Sequence, residues 1–189
     1  MNNTIILLIG YPWSWKLTIA KKIKEIIKNT IVIDNHSSNN AIFPLIDLWV
    51  ILDWNSCWKY INKIRDIQLE YIRDSIPNWK NMIFTLFLPE DWKDQQPDLL
   101  RILNLANERW ARFYPVKLVC DTSVLKERLP TKERKKSNKL TSISLFEEVL
   151  AANSNLLNIE VFPNWFEIDN SHISADECAN EIVSRLQQH

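Results

Sequence analysis

The sequence predicts an α/β fold, a five-stranded parallel sheet covered by helices on both faces. Three observations lead there. Short apolar runs rich in β-branched residues recur along the chain, as expected of strands buried on both sides. Between them lie longer stretches with apolar residues at three- and four-residue spacing, the pattern of amphipathic helices. The two kinds alternate, which implies β-α-β crossovers feeding one sheet.

Each element follows in order. Ile5 to Ile9 is a wholly apolar strand. A helix runs from Lys16 to about Lys28 with Ile19, Ala20, Ile23, Ile26 and Ile27 inward. Thr30 to Ile33 is a second strand ending at Asp34, and a loop over Asn35 to Asn40 leads to a short apolar segment, Ile42 to Val50. A long helix from about Ser56 to Ser75 turns Ile61, Ile64, Ile67 or Gln68, Tyr71 and Ile72 inward, with Trp58 in the core. Met82 to Leu88 is the third strand, Asp98 to Arg109 a helix, and Phe113 to Val119 the fourth strand. Asp121-Thr122-Ser123 then forms an N-cap cluster opening a helix through Leu129. A basic loop over Thr131 to Ser142, a helix from Ser144 to Asn153 and a fifth strand at Phe166 to Ile168 follow. Ser174 and Glu177 form a capping box that opens the closing helix.

Composition sets the bounds. The 189 residues suit one domain, 1–189, with 46% apolar and 24% charged side chains. A formal net charge of +0 gives no global field for nucleic acid or an anionic membrane, and the basic stretch Lys132 to Lys139 is too short to change that. Cys57, Cys120 and Cys178 show no zinc or disulfide spacing. With no signal-peptide pattern and no apolar stretch of about 20 residues, the expectation is a cytoplasmic protein.

Most chemistry sits where the first strand meets the first helix: Gly10-Tyr11-Pro12-Trp13-Ser14-Trp15-Lys16-Leu17-Thr18. Strand, glycine, short loop, lysine, hydroxyl and helix is the order in which a loop grips β- and γ-phosphates. Such a loop turns successive N–H groups inward, and some of those turns need φ > 0 or a bare Cα. Trp13 and Trp15 supply neither. The chain holds nine tryptophans and one glycine, and Trp54, Trp79, Trp110 and Trp165 also sit where turns favour glycine. Position 110 suits the residue just past a helix end. Our hypothesis is that most of these positions descend from glycine, by engineering, recoding or a translation artefact. Intact-mass measurement tests the artefact version, which nine tryptophans at full mass would end.

In such sheets ligands bind beyond the carboxyl ends of the strands. Gly10 to Thr18, Asp34 to His36, Glu90, Asp91 and Asp121 should therefore converge on one rim. Each has a plainer reading: Lys16 as a surface lysine, Asp34 as a turn cap, His36 as a hydrogen-bonded loop histidine. Glu90 and Asp91 could cap the next helix or meet magnesium through water.

With that loop, with Asp34-Asn35-His36-Ser37-Ser38-Asn39-Asn40, and with Glu127-Arg128, Glu133-Arg134 and Lys139-Leu140-Thr141, the chain resembles small P-loop kinases. These are the AAA-type ATPase-like phosphotransferases related to chloramphenicol phosphotransferase, shikimate kinase and nucleotide kinases. The resemblance implies a three-layer α/β/α P-loop NTPase fold, ATP with Mg²⁺, and transfer of the γ-phosphoryl to the hydroxyl of a small acceptor. It implies nucleotide contacts from Gly10, Trp13, Ser14, Trp15, Lys16, Leu17, Thr18, Arg134 and Lys139, with Lys16 on the β- and γ-phosphates. Thr18 would be the metal residue, one position out of register because Leu17 follows the lysine. Asp34, Asn35 and His36 would meet the acceptor, Asp34 orienting or deprotonating its hydroxyl. Arg128 would stabilise transferring charge from a basic lid over about 128–142. Two functions remain open: such a kinase, impaired by Trp13 and Trp15, or a non-catalytic P-loop fold with a blocked nucleotide site that acts through binding.

Overall fold

The computed structural model describes residues 1–45, 54–90, 96–128, 147 and 155–188. Strand β1, Thr4–Gly10, is buried at every position and lies at the centre of the sheet. It pairs in parallel with β3, Asn81–Leu86, on one side and β4, Arg112–Val119, on the other. Outside these lie β2, Thr30–Asp34, and β5, Phe166–Asp169, giving the order β2-β3-β1-β4-β5 with every pairing parallel. The β-branched run supports this placement, because only a strand covered on both faces can keep apolar side chains at consecutive positions.

Alternation along β1 sorts the core into two layers. Ile6 and Leu8 pack with Ile19, Ala20 and Ile23 of α1, Lys16–Ile26, and with Cys178, Ile182 and Leu186 of a C-terminal helix, Ala175–Gln187. Ile5, Leu7 and Ile9 meet Ile72 of α3, Trp54–Ser75, and Leu99, Ile102 and Leu105 of α4, Gln96–Glu108. The sheet is the middle of three layers. Between β2 and α3 lies the one-turn helix α2, His36–Asn39, where the sequence suggests only a loop. Helix α5, Thr122–Glu127, follows β4, and the C-terminal helix is α6.

Several expectations need correction. The third strand ends at Leu86, before the expected Leu88. On α3 the inward face takes Gln68, whereas Ile67 and Tyr71 are exposed. Trp58 is only half-buried, edge-on to Phe43 with centroids 6.1 Å apart, while Arg65 lies over its ring. Asp121 makes no side-chain capping bond; its backbone N–H instead donates to Ser171 Oγ at 2.8 Å. The capping box of α6 is present, with Ser174 Oγ accepting from Glu177 N–H and Glu177 accepting from Ser174 N–H. Segment 46–50, Asp91, the basic loop beyond Arg128 and the helix expected over 144–153 lie outside the described residues, except for Glu147.

Two helix ends show what holds the layers in place. Arg109 is almost fully buried and donates to the carbonyls of Ile72, Ile76 and Pro77 at 2.7, 2.8 and 2.9 Å. It thereby adds a charged donor to the carbonyls at and just beyond the C-terminus of α3, where the helix dipole favours a cation. Burial lowers its pKa, yet an arginine stays charged. We expect Arg109→Met to lower stability by about 3 kcal/mol, because three charge-assisted hydrogen bonds to the end of α3 are lost. Chemical denaturation measures this, and a loss below about 1 kcal/mol would contradict the role.

Trp110 closes α4. Its φ is 52°, its N–H donates to Asn107 O, and Ala111 N–H donates to Ala106 O, which together make a Schellman motif. The indole is 90% exposed, so it gains little packing for a left-handed backbone. Trp110→Gly should stabilise the protein by about 1 kcal/mol, the left-handed cost less the entropy glycine adds to the unfolded chain. That corresponds to a rise in Tm of about 2–4 °C. An unchanged or lower Tm would count against it.

Candidate functional site

The turn after β1 is tied by its carbonyls to the lysine that follows it. A Cβ on Gly10 would lie 2.5 Å from Ser14 Oγ and 3.1 Å from Leu118 O, so only glycine fits there. Ser14 donates to Tyr11 O through both N–H and Oγ, and its carbonyl accepts from Asn170 Nδ2 at 2.8 Å. Lys16 opens α1, and its Nζ reaches back to Gly10 O at 2.8 Å and Tyr11 O at 2.6 Å. Two carbonyls at the start of the turn therefore hold the ammonium group.

Contrary to the expectation that tryptophan supplies no φ > 0 here, the backbone turns as glycine would. Trp13 has φ 72° and Trp15 has φ 60°, both left-handed. For an L-residue each such position costs about 1–2 kcal/mol. Alternating right- and left-handed residues turn successive N–H groups to one side, the geometry that favours an anion. Neither indole swings into solvent. Trp13 is 3% exposed and packs with Leu125, Tyr11 and Cys120. Trp15 is part-buried, with the Arg128 guanidinium 3.6 Å from its ring centroid.

Position 17 is a half-buried leucine and offers no oxygen, while Thr18, roughly 100° further round the helix, is exposed. Among the described residues no group of three or more His, Cys, Asp or Glu side chains could hold a metal.

Arg128 differs from expectation. It is buried at the C-terminal end of α5, not displayed on an open lid. Its guanidinium donates to Asn170 O at 2.7 Å, Ser171 O at 3.3 Å and Cys120 Sγ at 3.1 Å. The side chain thus ties the turn after β5 to the loop through Trp15. Arg134 and Lys139 lie outside the described residues. Hydrogen bonds from Ser171 hold the Asp169 carboxyl below the usual carboxylate range.

The second half of the site lies at the ends of β2 and β3. Asp34 accepts from Thr85 Oγ1 at 3.0 Å and lies 3.4 Å from His36 Nδ1. Beside it is a cavity lined by Asn35, Ser38, Gln68, Arg65 and Asp98 among others. Its wall is a charge network: Arg65 donates to Asp98 at 2.5 Å and to Asn39 Oδ1 at 3.1 Å, and Arg101 bridges Asp98 and Asp66. Desolvation lowers the Arg65 pKa while Asp98 opposes that shift. Arg65, Asp98 and Thr85 were not singled out from the sequence. One signal was available: Arg65 falls in register with Ile61, Gln68 and Ile72, a cation on an inward helical stripe.

No protein-family model matches the sequence, and no curated protein matches it. Solved structures do. A gluconokinase from Sinorhizobium meliloti aligns over 98% of this chain and 93% of its own at 15% identity, with a TM-score of 0.61. A thymidylate kinase from Candida albicans aligns over 99% and 92% at 14% identity and 0.59. An APS kinase from Mycobacterium tuberculosis, solved in complex with AMPPNP and APS, aligns over 98% of each chain at 12% identity and 0.58. At such identities the likeness is one of fold: a three-layer α/β/α P-loop fold with a five-stranded parallel sheet. Among the described residues no helix is long and apolar enough to cross a membrane.

Proposed function

We propose that this chain is built as an ATP-dependent small-molecule kinase whose phosphate loop is obstructed by Trp13 and Trp15. One observation carries the reading: the Lys16 ammonium is held on two carbonyls of a loop with left-handed turns at positions 13 and 15, on the same rim as the Asp34 cavity. The kinases of like fold support it, since one was solved with AMPPNP.

The residues fit a triphosphate in part. Lys16 would exchange the Gly10 and Tyr11 carbonyls for β- and γ-oxygens, and the loop N–H groups would donate to the same phosphates. Magnesium would neutralise the phosphates through water and phosphate oxygens, because Leu17 contributes no ligand. Asp34 would take the proton of the acceptor hydroxyl as its oxygen bonds to the γ-phosphorus and the bond to the β-bridging oxygen breaks. Asn35 and His36 would orient that acceptor, and Thr85 would fix the Asp34 carboxylate. Arg128 anchors the turn after β5, and the basic segment that follows it, to about residue 142 with Arg134 and Lys139, is proposed as a lid.

The acceptor is proposed to be uncharged and hydroxyl-bearing. Both cations of the cavity wall are already matched, Arg65 by Asp98 and Arg101 by Asp98 and Asp66. An anionic acceptor would have to break a buried pair, which costs about 3–5 kcal/mol. A second reading, a non-catalytic nucleotide-fold protein acting through binding, is favoured by the packing of both indoles inward.

An ATP-consumption assay on a Trp13→Gly/Trp15→Gly variant tests these points across sugars and polyols and their phosphorylated or carboxylated counterparts. ADP should form faster with an uncharged hydroxyl compound. Turnover confined to anionic acceptors would contradict the acceptor class, and no turnover with any acceptor would favour the binding-only reading.

A further inference from the structure

Helix α3 carries an apolar stripe that the fold does not cover. Tyr60, Ile67 and Tyr71 are 51%, 65% and 61% exposed, and Ile64 between them is half-buried. Their spacing of four, three and four residues is that of an a/d seam in a two-helix coiled coil. The rest of α3 is committed elsewhere. Ile61 and Ile72 are buried, and Arg65 and Asp66 face α4 through Asp98 and Arg101.

The charges beside the stripe choose its occupant. On a helical projection Lys59 and Lys63 border it in the N-terminal half, Glu70 and Asp74 in the C-terminal half, all along one flank. Asp74 is held by its neighbour Arg73 at 2.6 Å, and Lys63 lies over the Tyr60 ring at 5.5 Å. A parallel pairing of two such helices would put this flank on opposite sides of the seam, opposite Ile61 and Gln68, and leave its charges without partners. An antiparallel pairing sets Lys63 opposite Glu70 and Lys59 opposite Asp74, twice over.

We propose that α3 is a self-association surface, on which a second copy of this chain docks its own α3 antiparallel about a two-fold axis near Ile67. The interface is isologous, so it closes at a dimer. The seam from Tyr60 to Tyr71 covers only about 16 Å of helix, at 1.5 Å per residue. It is smaller than the roughly 800 Å² per partner of a standard interface, so the dimer is weak and concentration-dependent. Nothing in this inference depends on the kinase reading.

Sedimentation velocity from low-micromolar to near-millimolar protein tests it. The chain should shift from monomer to dimer over that range. Ile67→Glu, an exposed position whose fold is checked by circular dichroism, should remain monomeric throughout. Lys63→Glu and Glu70→Lys should each weaken association roughly tenfold, and the double exchange Lys63→Glu/Glu70→Lys should recover it. A chain monomeric at every concentration, or a dimer unaffected by Ile67→Glu, would overturn the surface. A double exchange no tighter than either single variant would overturn the antiparallel arrangement.

Discussion

Trp13→Gly/Trp15→Gly is expected to bind ATP with Mg²⁺ on the order of a hundredfold more tightly than the chain with both indoles. The source of that gain is crowding more than backbone strain. Both residues already have φ > 0 in the free loop, so their strain is present before and after binding and largely cancels. An entering phosphate, however, meets a loop in which Trp13 is packed against Leu125 and Trp15 is stacked under Arg128. Overpacking a tight site costs about 1–3 kcal/mol, and two such sites give about 3 kcal/mol, or a hundredfold. Isothermal titration of both proteins measures the difference. Equal micromolar affinities would remove the argument that the loop is blocked.

Asp34→Asn in that glycine background should lower kcat by about 10²–10⁴-fold, the usual worth of a positioned general base, with ATP affinity unchanged. Asparagine keeps the size of aspartate and can still accept from Thr85 Oγ1, which holds the native side chain at 3.0 Å. What it loses is the capacity to take a proton. A variant within tenfold of its parent would reduce Asp34 to a turn residue tied to Thr85 and His36. Parallel loss of ATP affinity would instead place it near the nucleotide.

The elements that could be read from the sequence are those whose cause is local. Five consecutive apolar residues at Ile5 to Ile9 admit only a doubly covered strand, and Ser174 with Glu177 needs only its own first turn to cap α6. The left-handed positions at Trp13, Trp15 and Trp110 were likewise legible from where glycine belongs. Trp79 and Trp165 show the limit of that argument. Neither has positive φ, and the turn at Trp79 is an ordinary one closed by Lys80 N–H to Pro77 O.

What escaped depends on partners far apart in the chain. Arg65 meets Asp98 across 33 residues, and periodicity along one helix cannot report an ion pair with another. The orientation of Arg128 is fixed by the carbonyl of Asn170, 42 residues away. Read alone, an arginine at the end of a short helix before a basic run looks like lid charge; the turn after β5 makes it an anchor.

The most direct test is a crystal structure of Trp13→Gly/Trp15→Gly with AMPPNP. The β- and γ-phosphates should occupy the turn formed by residues 10–16, with Lys16 Nζ moved from the Gly10 and Tyr11 carbonyls onto phosphate oxygens. Nucleotide bound elsewhere, with the ammonium group still on those two carbonyls, would contradict the account.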